Sequence, residues 1–304
     1  MQPPQRHLHR LEKIVAMCAL FAVLALSIGF AQAGSPKKTR VADAEDNMQA
    51  AHPEKVFLRS SVALVQDAKT GETLIAKNSE TVLPIASITK LMTAIVVLER
   101  GLDLDARVAI SEDDQDIVKG TRSRLRNGAM LTRNQLLLLA LMSSENRAAA
   151  SLARTYPGGT ETFVAAMNEK ARMLGMIDSR FVDATGLSSA NVASAHDLGR
   201  LVKAAYAYPV IREYSTRESA QVNVFGRALD YRNTNGLVRN GRWDIALQKT
   251  GYISEAGRCL VMRVRLAGRD LVVVLLDSWG KYSRVGDANR IRKWLETNLP
   301  SRQG

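Results

Sequence analysis

In the stretch Ser87-Ile88-Thr89-Lys90-Leu91-Met92-Thr93-Ala94-Ile95-Val96-Val97-Leu98-Glu99-Arg100, apolar residues recur at helical spacing (Ile88, Leu91, Met92, Ile95, Val96, Leu98). A helix with a thick buried face is expected there, with Pro84 as its start signal and Gly101 as its stop. Ser87 stands at its head and Lys90 three residues on, and positions i and i+3 share a face. The helix N-terminus adds unpaired N–H groups and the positive end of a dipole, which lower a lysine's basicity and stabilise negative charge growing on a carbonyl. A serine hydroxyl is a poor nucleophile until a base takes its proton. Lysine can be that base once burial and a neighbouring positive charge, here Lys249, depress its pKa. The bland alternative is a solvated lysine on an exposed helical face. A Ser-x-x-Lys pair arises about once by chance in a chain this long, and Ser35/Lys38 and Ser278/Lys281 also match. The former lies in a polar stretch and the latter in a Gly-containing turn; only Ser87/Lys90 opens an apolar helix.

Two more motifs follow in order. Ser144-Glu145-Asn146 falls where the apolar segment Leu136–Met142 ends and a second helix, Ala148–Arg154, begins. A hydroxyl and an amide projecting from such a junction suit proton relay and substrate positioning. Both residue types also cap helices, and the two roles are compatible. Ser189/Asn191 repeats the spacing. Lys249-Thr250-Gly251 ends the alternating segment Trp243–Gln248, as expected on a strand beside a cleft, where glycine lets a ligand approach the backbone. By composition, Lys-Thr-Gly occurs by chance in well under roughly one chain of this size in ten.

Outward from these motifs, Val62–Asp67 and Thr73–Ala76 read as a hairpin about Lys69-Thr70-Gly71. Thr132-Arg133-Asn134-Gln135 is a capping box before Leu136, and further helices are expected near 160–174, 195–207 and 287–299. Asp244–Lys249, Cys259–Leu266 and Leu271–Leu276 suit strands, the last two joined by a turn at Ala267-Gly268-Arg269-Asp270. Strands at both ends of a helical middle point to an α/β sheet layer with an inserted all-helical lobe, roughly residues 105–205 of a domain spanning 56–304.

The first residues bear on where the protein works. Arg6, Arg10 and Lys13 precede an apolar run, Ile14–Phe30, and then Ala31-Gln32-Ala33: the order of a secretory leader, residues 1–33, cleaved after Ala33. The alternative is an uncleaved anchor, for which the run is slightly short of the roughly 20 residues a spanning helix takes. Residues 34–55 read as a flexible polar lead-in. Hydrophobic residues at 46% and charged residues at 24% fit a folded soluble domain. The net charge of +12 fits an anionic polymer such as carboxylate-bearing cell wall. The basic residues lack the aromatic interleaving of a nucleic-acid motif, so no nucleic-acid partner is expected. Once the leader with Cys18 is removed, Cys259 stands alone, excluding an intramolecular disulfide and cysteine-based metal sites. Only His52 and His196 remain outside the leader, too few ligands for a zinc hydrolase. No metal or cofactor is expected, and a base other than histidine is favoured. His196 reads as a partner of its own helix.

The ordered set Ser87-Ile88-Thr89-Lys90, Ser144-Glu145-Asn146 and Lys249-Thr250-Gly251 resembles the signatures of the active-site serine penicillin-binding proteins and serine β-lactamases. Its spacing, with Pro84-Ile85-Ala86, Asp183-Ala184-Thr185-Gly186-Leu187 and Ala256-Gly257-Arg258-Cys259-Leu260, is similar to the low-molecular-mass D-alanyl-D-alanine carboxypeptidases and endopeptidases from about Val62 to Trp294. The resemblance implies the serine β-lactamase/DD-peptidase-like fold, an antiparallel sheet packed by helices. It implies Ser87 as acyl-forming nucleophile, Lys90 as its base, Ser144 as proton relay and Asn146 as holder of the substrate amide. Lys249, Thr250 and Gly251 would bind the carboxylate end, with Arg284 nearby, and the backbone N–H groups of Ser87 and Tyr252 would form the oxyanion hole. Tyr252 stands where carboxypeptidase relatives often have histidine, and His196 where many have arginine, which bears on substrate preference.

The implied function is a periplasmic serine DD-peptidase acting on peptidoglycan peptides, with β-lactams as covalent inhibitors and no stable membrane anchor after leader cleavage. Carboxypeptidase relatives commonly carry a further β-rich domain and an amphipathic tail, so a chain of this length fits the short endopeptidase type. The alternatives are a carboxypeptidase, a β-lactamase or a non-catalytic wall-binding protein. Tyr156–Glu161 lacks the glutamate pattern by which class A β-lactamases deacylate.

Overall fold

The run Leu271-Val272-Val273-Val274-Leu275-Leu276 has no polar side chain on either face, which suits a strand covered on both sides. In the computed structural model, which describes residues 56–299, it lies in the middle of the sheet. The expected leader, the lead-in and the Ser35/Lys38 pair lie outside the described residues.

β1 (Ser60–Asp67) and β2 (Thr73–Lys77) form the expected hairpin, and β3 (Leu83–Pro84) leads through a 3-10 turn, Ala86–Thr89, into α1 (Lys90–Glu99). Next come β4 (Arg107–Ala109), β5 (Met130–Thr132), α2 (Arg133–Met142), α3 (Asn146–Arg154), α4 (Gly159–Met173), β6 (Val192–Ala193), α5 (Ala195–Tyr206) and α6 (Pro209–Thr216). A second hairpin, β7 (Ser219–Val224) with β8 (Arg227–Arg232), precedes the short α7 (Gly236–Arg239). β9 (Asp244–Ile253), β10 (Gly257–Leu266), β11 (Arg269–Ser278) and α8 (Ser283–Asn298) follow. Among the described residues no helix is long and apolar enough to cross a membrane.

The main sheet has the order β2-β1-β11-β10-β9, and every neighbouring pair is antiparallel. Successive strand side chains point to opposite faces, so β11 feeds two cores. Val272, Val274 and Leu276 pack with Ile88, Leu91 and Ile95 of the first-motif segment and with Leu198, Leu201 and Val202 of α5. Leu271, Val273 and Leu275 pack with Ala288, Ile291 and Leu295 of α8. This is the expected antiparallel sheet packed by helices. It leaves β9, which carries the third motif, on a sheet edge facing the first.

The differences from expectation are local. Ser87 lies in the 3-10 turn, and the α-helix begins at Lys90. Ala86 has φ +48°, which no α-helical ladder tolerates, and Thr89 Oγ1 donates to its carbonyl at 2.8 Å. β9 runs through the third motif to Ile253 instead of ending at Lys249, because the next turn comes only at Ser254. The β7–β8 hairpin lies outside the expected elements, although Ala220, Val222 and Val224 alternate with polar residues as a half-buried strand does. The Thr132–Gln135 capping box is present in both directions.

One carboxylate ties α8 to the sheet. Asp287 is fully buried and accepts from Arg59 N, Ser60 N and Ser60 Oγ at 2.9, 2.7 and 2.5 Å, and from Arg290. Burial alone would raise its pKa; the Ser60, Arg59 and Arg290 donors outweigh that and hold it below the usual aspartate value. Hydrogen bonds to a charged group contribute about 1.5–3 kcal/mol, so Asp287→Asn is expected to destabilise the protein by about that much at pH 7 in denaturant titrations. Because the folded carboxyl is the more acidic, the wild type gains this stability above about pH 4, the unfolded aspartate value, and loses it as pH falls through the folded one. The variant should show a flatter acid limb.

Candidate active site

Two glycines bring the third motif and the 183–191 loop against the first. A Cβ on Gly251 would stand 2.9 Å from Ile85 O and 3.1 Å from Ser87 N, so only a glycine on β9 lets the strand edge lie against the serine turn. Gly186, at φ +79°, would drive a Cβ into the carbonyl of Ala86, so the loop after α4 closes on the same turn from the other side. That loop is rigidly tied. Asp183 Oδ1 accepts from Thr185 N, Thr185 Oγ1 and Gly186 N, and Oδ2 accepts from Ser188 N. Buried Asn191 donates to Thr89 Oγ1 at 3.2 Å and accepts from Val182 N at 2.7 Å. The second Ser-x-Asn match thus braces the loop.

Lys90 is fully buried, and its Nζ lies 2.9 Å from Ser87 Oγ, 2.8 Å from Asn146 Oδ1 and 2.6 Å from Thr185 O. The last two atoms can only accept. A neutral amine has two N–H donors and one lone pair, so the two carbonyl oxygens take the donors and leave the lone pair for the Ser87 hydroxyl. Thr185 O, at 3.5 Å, is the poorer acceptor for that hydroxyl. The Asn146 amide is oriented from outside: its Nδ2 donates to Thr121 Oγ1 at 2.9 Å, and Thr121 Oγ1 donates to Asp116 Oδ2 at 2.6 Å. Since the carboxylate only accepts, Thr121 must accept from Nδ2, which turns Oδ1 toward Lys90. Asp116 and Thr121 carry no motif of their own, and the Asp183–Leu187 stretch does not by itself reveal the role of the Thr185 carbonyl.

Ser144 sits at φ +61° between α2 and α3, a left-handed conformation of the kind found at strained functional positions. The cap of α3 is Glu145, whose side chain accepts from Arg147 N, so Ser144 is free of the capping role. Its Oγ accepts from Lys249 Nζ at 2.9 Å. Lys249 is fully buried and also donates to Thr250 O at 2.8 Å, while Thr250 Oγ1 is 2.6 Å from Thr234 Oγ1. Arg284, near the start of α8, donates to Gly251 O and Cys259 O at 3.1 and 3.2 Å, bracing β9 against β10. Cys259 is buried beside it, its thiol pushed up to about 11 by burial. The Tyr252 side chain is exposed, with the Arg258 guanidinium 4.6 Å from its ring centre. His196, expected as a partner of its own helix, instead contacts Ser79 and Glu80, tying the head of α5 to the segment between β2 and β3.

Burial lowers Lys90 to about 7, while Asp183, Glu145 and Asp116 pull it back upward. Of the two expected causes, burial is the larger at Lys90, and the repulsion between Lys90 and Lys249 acts on the pair. Lys249 is itself depressed well below the ordinary lysine value, by burial first, then by Lys90 and Arg284. Two adjacent buried ammoniums repel, and the pair favours at least one neutral amine.

A half-buried serine hydroxyl within hydrogen-bonding distance of a buried amine whose pKa is about 7, with a second buried lysine nearby, fits a serine acyl-transfer enzyme that uses lysine in place of histidine. The family profile described as D-alanyl-D-alanine carboxypeptidase matches residues 47–279, and the chain belongs to that family. A D-alanyl-D-alanine endopeptidase of Pseudomonas aeruginosa is 45% identical over 287 residues, 94% of this chain and 89% of that one. One of Escherichia coli is 45% identical over 242 residues, 79% of this chain and 78% of the other. The crystal structure of the Streptomyces K15 DD-transpeptidase covers 79% of this chain and 98% of its own with a TM-score of 0.73 at 28% identity.

Thr121→Val leaves the Asn146 amide without its anchor, and acylation by benzylpenicillin should slow about tenfold, the equivalent of about 1.4 kcal/mol in the barrier. Thr121→Ser, which keeps both hydrogen bonds, should restore the rate. Equal rates for these two variants in stopped-flow assays would remove Thr121 from the machinery.

Proposed function

We propose that the protein is a serine DD-peptidase that cuts D-alanyl peptide bonds of peptidoglycan through an acyl-enzyme, and that it is an endopeptidase acting on crosslinks. The observation that carries this is the buried Lys90 amine, its two N–H groups taken by Asn146 and Thr185 and its lone pair left for Ser87. Ser87 Oγ attacks the D-alanyl carbonyl carbon and Lys90 accepts its proton. The backbone N–H groups of Ser87 and Tyr252 hold the oxyanion. The C–N bond breaks as the leaving amine takes a proton relayed through Ser144, forming an ester on Ser87. Water then cleaves the ester, returning the serine. Asn146 orients the substrate amide, Lys249 and Thr250 bind its carboxylate end, and Gly251 lets the peptide approach β9. Arg284 holds the end of that strand and adds positive potential.

The relatives at 45% identity are named endopeptidases, which supports that specificity over carboxypeptidase action. A cleaved leader and a periplasmic location fit a substrate found outside the cytoplasm, and β-lactams, which mimic the D-alanyl carbonyl, act as covalent inhibitors.

Mass spectrometry after benzylpenicillin treatment should find one drug adduct on the wild type and none on Ser87→Ala. Purified crosslinked muropeptides should be cleaved faster than uncrosslinked pentapeptides; the reverse order would make the enzyme a carboxypeptidase. Lys90 serves as base only when neutral, and its pKa is about 7. Acylation should therefore rise as pH climbs through about 7 and level off above about 8. A rate that is flat from about pH 5.5 to 8 would exclude Lys90 as the base.

A further inference from the structure

Outside the cleft, the loop at 123–127 and the β7–β8 hairpin enclose a groove of about 660 Å³, lined by Ser123, Arg124, Arg126, Val224, Phe225 and Arg227 among others. Both walls start at the cleft. Two residues before Ser123, Thr121 holds Asn146, and two residues beyond β8, Thr234 bonds Thr250. Consecutive Cα atoms are about 3.8 Å apart, so Ser123 lies within about 8 Å of Thr121, and Arg227 within about 27 Å of Thr234. An extended peptide of several residues that leaves the cleft reaches the groove.

The groove is cationic. Residues directly opposite in an antiparallel pair share a face, and Val224↔Arg227 and Val222↔Leu229 are such pairs, so Arg227 projects with the inward apolar face of the hairpin. Asp230 lies on the other face, where Gln221 Nε2 donates to its carboxylate at 3.0 Å. The Arg124 guanidinium is fixed 3.8 Å from the Tyr231 ring centre and donates to Asp230 O. No acidic residue is among those that line the groove, and among the described residues no ion pair joins Arg124, Arg126 or Arg227 to a carboxylate. Three like charges gathered without a counter-ion repel one another unless an anion is bound. At the hairpin tip, Phe225 and Gly226 have φ +53° and +74°. Both central residues of such a turn favour Asn or Gly, yet a 63% exposed phenylalanine occupies the first. Its ring lies 3.7 Å from where a Cβ on Gly128 would stand, forming an apolar lip.

We propose that this groove holds the second stem peptide of a crosslinked peptidoglycan substrate, its free carboxylates on Arg124, Arg126 and Arg227 and its aliphatic portion on Phe225. The proposal rests on the DD-endopeptidase function above. It also supplies a basis for it: the diaminopimelyl carboxylate beside the cut bond is the one Lys249 and Thr250 hold, the γ-linked D-glutamyl residue and the C-terminus of the same strand leave further carboxylates free, and only a crosslinked substrate brings such a strand.

The test uses the tripeptide L-alanyl-γ-D-glutamyl-diaminopimelate, which has no D-alanyl bond to cut, titrated calorimetrically into the whole protein. Wild type should bind it, and Arg126→Glu with Arg227→Glu should weaken binding at least tenfold. The same tripeptide with its carboxylates amidated should bind the wild type at least tenfold more weakly. Both arginines are exposed, and the double variant should form the benzylpenicillin adduct at the wild-type rate. Equal affinity in wild type and variant, no binding to the wild type, or acylation slowed in parallel with binding would each overturn the groove. Failure of the wild type to form any penicillin adduct would instead sink the peptidase function, since the calorimetric result does not depend on acylation.

Discussion

A lysine amine with no exposure to water sets the terms for the rest of this molecule. An isolated buried ammonium is costly, so the group is stable there only by becoming neutral or by finding acceptors for all its protons. Here α1 supplies the amine, the 183–191 loop brings a backbone carbonyl and the head of α3 brings an amide oxygen. Those elements come from distant parts of the sequence and must converge to within hydrogen-bonding distance. The left-handed turns at Ala86 and Ser144, and the glycines at 186 and 251, are the backbone concessions that allow it. The sheet's two cores clamp the convergence, so stability and chemistry draw on the same packing.

Much of this is legible in residue order. Periodicity marks α1 and β11, a capping box marks α2, and three short motifs in sequence mark the cleft. These signals are local, and local physics decides them. What escapes is long-range. The carbonyl of Thr185 is a backbone atom and leaves no trace in residue type. Thr121 and Asp116 matter because a loop folds back onto α3, which no spacing rule encodes. Ser144 could equally be a cap until its conformation hands that role to Glu145. The depression of Lys90 and its cause in burial are foreseeable from the motif, but the size of the effect is not, because the extent of burial cannot be counted from neighbours in sequence.

The two lysines also divide labour through their surroundings. Lys90 sees acids on three sides, which keep its pKa near neutrality instead of far below it. Lys249 sees Lys90 and Arg284, so it lacks a local counter-charge. An incoming carboxylate supplies that missing charge and favours its ammonium form. Identical side chains about a single cleft thereby come to favour different protonation states, one suited to accepting a proton and the other to holding an anion.

Cys259 lies on β10, directly opposite Gly251 of the third motif on β9. With its pKa raised to about 11, roughly one molecule in ten thousand carries a thiolate at pH 7, and that sulfur is sealed between sheet and helix. Thiolate is the species that oxidants and disulfides attack. In the folded protein, then, oxidation at this position needs an opening that exposes the thiol, so the packing of β10 guards it.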